Sequence, residues 1–352
     1  MLFRSDDVAG IVDHFAAHGR GIRLQSKMCS DPGSALVHAT AHILFTDLGS
    51  PDAQSHEMLL LCLSQHHRAG TEMLPFQQLE HLWLEPIATG EPAENTAISK
   101  ILASSCVSRP IDCLTASTLD LYQITHTVLF ATDLGQRPID LPQDRAEFFT
   151  NIEALLAVAL DAENYDLVAE LLWVWPMLHQ HWSPIALCAF DVIDTLASQR
   201  GFLPGPDYRT AHDQGLAPTE QEQYRARTSY HTTLAMGILC AAVIRSGTLP
   251  DEMQEKSRQD INAGMIIGRM TGSGTTKHWL TVIELAQGRV DRILAPLVVT
   301  AYLRRARASN DFAGIAAGLQ FAVQHYLTEL PAVRLAQQFL ERAALLSRLM
   351  AS

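Results

Sequence analysis

The sequence predicts an all-α fold of stacked antiparallel helical hairpins, closed into an α/α ring or packed as a compact helical-repeat bundle. Three observations carry this expectation. Apolar residues recur with a period near 3.6 in almost every segment and with period 2 in almost none. No β-branched alternating run bounded by hairpin turn signals occurs. The connections are mostly short, as in ALDAENYDLVAEL (159–171) and RARASNDFAG (305–314), and short connections make successive helices antiparallel neighbours.

Taken in order, the first helix is SDDVAGIVDHFAAHG (5–19), which opens on an acidic turn and stops at Gly19. Periodic segments follow at 34–48, 52–69, 75–87 and 93–104. The helix at 116–134 carries Leu121, Ile124, Val128, Ala131 and Leu134 on several faces, which marks it as central rather than superficial. Segments 144–162 and 164–178 form the next pair, and Pro176 ends or kinks the second. After 184–200 comes GFLPGPDYRTAHDQGLAP (201–218), a Gly/Pro-rich loop, then a long helix at 218–246 and a polar connection over 246–278. Helices at 278–287, 291–309, 311–329 and 332–350 complete the chain. We expect a single all-helical domain over 1–352, with a sub-boundary near 105–115. The tetrapeptide TDLG closes both 34–48 and 116–134. It fits an internal repeat, or a helix ending used twice.

The 352 residues are 47% hydrophobic, enough for a large core. A net charge of −12, with no basic cluster longer than LRRAR (303–307), speaks against nucleic acid or an anionic membrane as partner. The opening MLFRSDDVAG has no apolar core of a signal peptide. The longest apolar runs, LAMGILCAAVI (234–244) and ILAPLVVTAYL (293–303), are about half the ~20 residues of a membrane-spanning helix. The six scattered cysteines read as reduced thiols, and the expected location is the cytoplasm.

Polar residues placed within apolar helices nominate the candidate site. At 100° per residue, Tyr122, His126, Leu129 and Asp133 share one stripe of the helix at 116–134, with Thr118 and Thr125 on its border. Such a stripe must meet partners or line a pocket, because a buried polar group left unpaired costs about 1–3 kcal/mol. Asp133 stands where the negative end of the helix disfavours a carboxylate. The pattern admits a satisfied core network or an acid/base group, with His126 as base or acid, Asp133 orienting it and Tyr122 donating a hydrogen bond. LLWVWPMLHQHW (171–182) offers Trp173 and Trp175 for core packing or for a ligand cavity. YRARTSYHTTLAMGILCA (224–241) adds Tyr230 and His231, with Gly237 permitting a close approach.

The pairs His14/His18 and His38/His42 have helical metal-ligand spacing but no further ligand, so no metal and no cofactor is expected. GSGTTK (272–277) lacks the spacing of a phosphate loop. Asp191 and Asp194 read as a solvated helix face.

Three stretches, YQITHTVLFATDLG (122–135), AVALDAENYDLVAELL (157–172) and YHTTLAMGILCAA (230–242), resemble in order and spacing an uncharacterised family of all-helical bacterial proteins. These are mainly actinobacterial and accompany specialised-metabolite genes. The resemblance covers roughly 50–350 and implies a shared helical fold and a role in small-molecule biosynthesis, without assigning a reaction or any catalytic residue. The expected function is a small-metabolite-binding or non-redox tailoring protein with a helical pocket. Its alternative is a helical-repeat scaffold that binds another protein.

Overall fold

The computed structural model describes residues 5–65, 72–91, 95–248 and 291–351. Among them are sixteen α-helices and no strand, so the fold is all-α. No helix among the described residues is long and apolar enough to cross a membrane. The chain divides into two compact units, residues 1–105 and 106–352.

The first unit holds α1 (Ser5–Gly19), α2 (Ile22–Ser30), α3 (Ala35–His38), α4 (Thr40–Asp47), α5 (Ala53–Gln65), α6 (Pro75–Thr89) and α7 (Asn95–Ser104). Its core gathers Met28, Leu36, Ile43, Leu59, Cys62 and Leu84. Two expectations are corrected. Helix α2 was not anticipated, because only Met28 of its nine residues is buried and its apolar signal is sparse. The segment 34–48 is not one helix: a 3₁₀ turn, α3 and α4 succeed one another, with Ala39 at φ −89°, ψ 0° between the last two. Thr40 explains the break, since its hydroxyl donates to Val37 O at 2.9 Å and so competes with the helical ladder. His38 and His42 consequently have different surroundings. His38 stands 4.0 Å from Asp31, while buried His42 accepts a hydrogen bond at Nδ1 from Arg20 Nε at 3.1 Å.

The second unit holds α8 (Thr118–Ala131), α9 (Arg145–Asp161), α10 (Tyr165–Met177), α11 (Pro184–Arg200), α12 (Thr210–Gln214), α13 (Pro218–Ser246), α14 (Asp291–Ala308), α15 (Phe312–Gln324) and α16 (Pro331–Ala351). Sequence and start signals agree well here. Ser117, Asp144, Asn164 and Ser183 each accept a hydrogen bond from the first turn of the helix they cap. All thirteen residues of α10 are buried, as a helix apolar on every side requires. Around it pack α8, α9, α11 and α13. Pro176 is the penultimate residue of α10, and the helix ends one residue after it, at Met177. Short α12 lies within the stretch expected to be loop, and the expected helix at 278–287 falls outside the described residues.

Helix α8 ends at Ala131, three residues before the expected boundary. Thr132 turns its hydroxyl onto Val128 O at 2.7 Å and accepts from Gly135 N at 2.9 Å. Asp133, Leu134 and Gly135 then follow with φ of 50°, 54° and 84°. In α4, Thr46 bonds back to His42 O at 2.8 Å and Gly49 takes φ 92°. TDLG is thus a helix ending used twice: a threonine that folds back on the last turn, followed by a glycine in the left-handed region.

Two glycines allow opposite expectations to be tested. A Cβ on Gly205 would stand 2.0 Å from Thr228 O, a backbone atom, whereas one on Gly237 would have nothing within 4 Å, so Gly237 serves no close helix approach among the described residues. Gly205→Ala should therefore destabilise the protein by about 1–3 kcal/mol, as other overpacked positions do. Gly237→Ala, on an exposed helical face, should stabilise it by up to about 1 kcal/mol. Urea melts of both variants check the pair, and equal effects would contradict this packing of 204–208 against α13.

Candidate functional site

The side chains with acid/base and metal-ligand chemistry meet where α8, α10 and α13 pack together. On α10, Asp166, Glu170 and Trp173 recur at helical spacing and share one face. From α8, the Tyr122 hydroxyl donates to Asp166 Oδ2 at 2.6 Å and the Thr125 hydroxyl donates to Glu170 Oε2 at 2.6 Å. His126 donates from Nδ1 to its own Tyr122 carbonyl at 3.0 Å, and that nitrogen lies 3.6 Å from Glu170 Oε2. From α13, His231 Nδ1 hydrogen-bonds Asp166 Oδ1 at 2.7 Å. Asp166 and Glu170 are 2% and 1% exposed, while the His231 side chain is 54% exposed, so the cluster is buried at the acids and reaches solvent through His231.

Burial and these contacts set the proton affinities. Desolvation pushes the Glu170 carboxyl up to about 8, with the Thr125 hydrogen bond working against it. Burial holds the His126 imidazole below its ordinary range. The hydrogen bond to Asp166 raises that of His231. Burial, then the bond to Asp166, raises the Tyr122 phenol. Burial thus favours the neutral form of the Glu170 acid and of the His126 imidazole beside it, with a second imidazole at the solvent edge. Asp166, Glu170 and His231 also offer ligand atoms that all lie within 4.8 Å of one another.

The structure brings Tyr122, His126, Trp173 and His231 into this cluster and leaves three other candidates outside it. Trp173 is buried, and its ring centroid lies 6.4 Å from that of His126 in an edge-to-face arrangement. Tyr230 is 62% exposed, with its ring edge-on to His231 at 6.3 Å. Trp175 belongs to apolar packing: it stacks on Trp182 at 6.3 Å and meets Phe149 at 5.2 Å. Asp133 lies beyond the end of α8 in left-handed backbone, so the helical stripe expected to align it with His126 stops before it. The carboxyl that stands by His126 is Glu170 instead. Asp166 and Glu170 were not read from the sequence, although a signal was present: two acids four apart in YDLVAELLWVW (165–175), a segment otherwise apolar enough to be wholly buried.

Cavities of about 500 Å³, at Asp161, Tyr165, Arg200, Tyr208 and Arg209, and about 350 Å³, at Asn151, Glu329 and Arg334, lie apart from this cluster.

The family described as a domain of unknown function, DUF6895, matches residues 3–241, and the chain belongs to that family. The match includes α8, α10 and the His231 turn of α13. No curated protein and no solved structure matches the chain.

The buried acid gives stability a definite pH dependence. With its folded value raised above the 4.5 of a free glutamate, Glu170 stabilises the fold fully below that value, and the contribution is lost as pH rises through about 8. His231, raised by Asp166, works in the same direction. His126, lowered by burial, works in the other, losing stability as pH falls through its unfolded value. Tyr122 and Asp166 complete the groups that face Glu170. Comparing wild type with Glu170→Gln in chelator isolates the acid: wild-type urea stability should fall between about pH 5 and 8 more steeply than that of the variant. Parallel profiles would mean that Glu170 is already ionised in the folded protein.

Proposed function

We propose that this member of the DUF6895 family binds a small polar metabolite at the cluster of Tyr122, His126, Asp166, Glu170 and His231. It would act as a cytoplasmic, non-redox binding or tailoring protein of specialised metabolism. One observation carries the reading: two acids are buried four residues apart on a central helix, and one of them, Asp166, is hydrogen-bonded to a histidine that is half open to solvent. A ligand with hydroxyl, amine or carbonyl groups could replace water at His231 and join that network. His126 keeps the acid/base role expected of it, with Glu170 as proton partner in place of Asp133. The surrounding side chains sit on helices rather than loops, which holds such groups within the tolerance that recognition needs.

A specific observation favours a second occupant, a polypeptide. Tyr230, Leu234 and Ile244 leave exposed apolar surface along α13 beside His231.

A thermal-shift screen of polar metabolites should yield a ligand whose stabilising effect is weakened about tenfold or more in His231→Ala, while the helical content of the variant is unchanged. Hits that stabilise both proteins equally would remove the cluster from consideration. A ligand lost on Leu234→Ser but kept on His231→Ala would select the polypeptide reading. His126→Gln separates chemistry from packing. If His126 acts on the ligand, stability stays close to wild type and turnover or affinity collapses. If it only fills a core network, urea stability falls by about 1–3 kcal/mol and ligand response falls only with the folded fraction. We expect the first outcome.

A further inference from the structure

We propose that Asp166, Glu170 and His231 form a binding site for a first-row divalent transition cation, and that the metabolite site is completed by the open coordination positions of that ion. The inference rests on the reading of this cluster as a ligand site and deepens it.

Geometry comes first. One ligand atom from each residue lies within 4.8 Å of the other two. Ligand atoms around a bound zinc ion stand about 3 Å apart, as follows from bond lengths near 2.0–2.2 Å. The set therefore closes on one ion by a modest movement, and His231, with 54% of its side chain exposed, is the member free to make it. Two ligands come from adjacent turns of α10 and the third from the facing α13, the way helical bundles assemble metal sites from side chains that project inward.

Charge is the second argument. Asp166 and Glu170 are buried four residues apart on one helix, and among the described residues their ion-pair partners are His231 and His126, with no lysine or arginine. Two carboxyl groups in that position require a proton or a cation between them. The fold supplies hydroxyl donors to one oxygen of each: Tyr122 to Asp166 Oδ2 and Thr125 to Glu170 Oε2. The Thr125 hydrogen bond and the His126 contact of Glu170 both fall on Oε2. Tyr122 and Thr125 then play the part of outer partners that fix the orientation of ligating carboxylates.

The donor set fixes the class of ion. One imidazole and two carboxyl oxygens suit Zn²⁺ or Mn²⁺ better than Mg²⁺ or Ca²⁺, which favour all-oxygen shells. Three protein ligands leave a position open, as in catalytic rather than structural sites. His231, with 54% of its side chain exposed, would bring that position within reach of solvent, so the ligand class is a small molecule presenting an oxygen donor.

The test is calorimetric titration of the full chain, freed of metal by chelator and desalted, with Zn²⁺ and with Mn²⁺. One ion per chain is expected, with affinity reduced about tenfold or more in each of Asp166→Asn, Glu170→Gln and His231→Ala, and unchanged in Tyr230→Phe. Asp166→Asn and Glu170→Gln keep side-chain volume, and His231→Ala lies at a half-exposed position, so circular dichroism can certify folded variants. Co²⁺ absorption in the visible range gives an independent readout of nitrogen and oxygen ligation in wild type and His231→Ala. No uptake of either ion, or uptake that all three substitutions leave intact, would overturn the site. Repeating the metabolite thermal shift in chelator distinguishes the two readings. A shift that persists without metal overturns the inference that the ion completes the metabolite site and leaves the metabolite site standing. Stoichiometric uptake lost in the three variants supports the ion even where no metabolite responds, and that second result counts against the metabolite reading alone.

Discussion

Two acids on a helix with no solvent-facing side are the constraint on which the second unit depends. Helix α10 is buried from Tyr165 to Met177, and its apolar residues give every neighbouring helix a reason to pack there. Asp166 and Glu170 give α8 and α13 a particular register. An unpaired buried polar group costs about 1–3 kcal/mol, and more when charged, so any sliding of α8 that separated Tyr122 from Asp166 would also separate Thr125 from Glu170. Apolar packing brings these helices together, and the three short hydrogen bonds at the acids select one alignment among the many that packing alone would tolerate.

The ends of α8 and α13 hold that alignment from a distance. Thr132 and Gly135 stop α8 and turn the chain back, and Gly135 allows the turn to sit against Met177 at the end of α10, where a Cβ would meet the Met177 Cα at 3.1 Å. Arg245, in the last turn of α13, donates to the Leu134 carbonyl within the same turn. At the other end of α8, Arg304 of α14 donates to the carbonyls of Cys113 and Ala116 at 2.9 and 2.8 Å, just before the Ser117 cap. A cationic side chain satisfying carbonyls that have left the helical ladder is a local solution at each end. Together they leave the middle of α8, with Tyr122 to His126, little freedom to shift along α10.

How much of this could be read beforehand depended on whether the signal was local. The helices of the second unit were legible because their periodicity and caps agree, as in α11, expected and found at 184–200, and α13, at 218–246. The break within 34–48 was not, since one threonine hydroxyl at Thr40 decides it against an otherwise continuous apolar pattern. Within the site, Tyr122, His126 and His231 were legible as polar residues in apolar helices. Asp133 misled because extrapolating 100° per residue presumes that the helix continues, and TDLG is the sequence that stops it. Asp166 and Glu170 carry little local mark, since Asp166 falls in the first turn of α10, where an acid is ordinary, and Glu170 one turn further on. Only the tertiary fact that α10 is enclosed on all sides makes them exceptional.

That enclosure also bears on what the acids are for. Two buried carboxyl groups are a poor choice for stability alone, since apolar side chains of similar volume commonly pack as well or better. A network serving only to fix register could also have closed on itself. This one is graded instead: hydroxyls and acids lie inside, the His126 side chain is 26% exposed, and the His231 side chain is 54% exposed. Its outermost member is thus a group that can exchange a proton or a ligand with solvent near neutral pH. A buried acid pair joined to the surface through imidazole has a direction, from the α13 face inward, and that direction supports a site approached from outside more than a lock between helices.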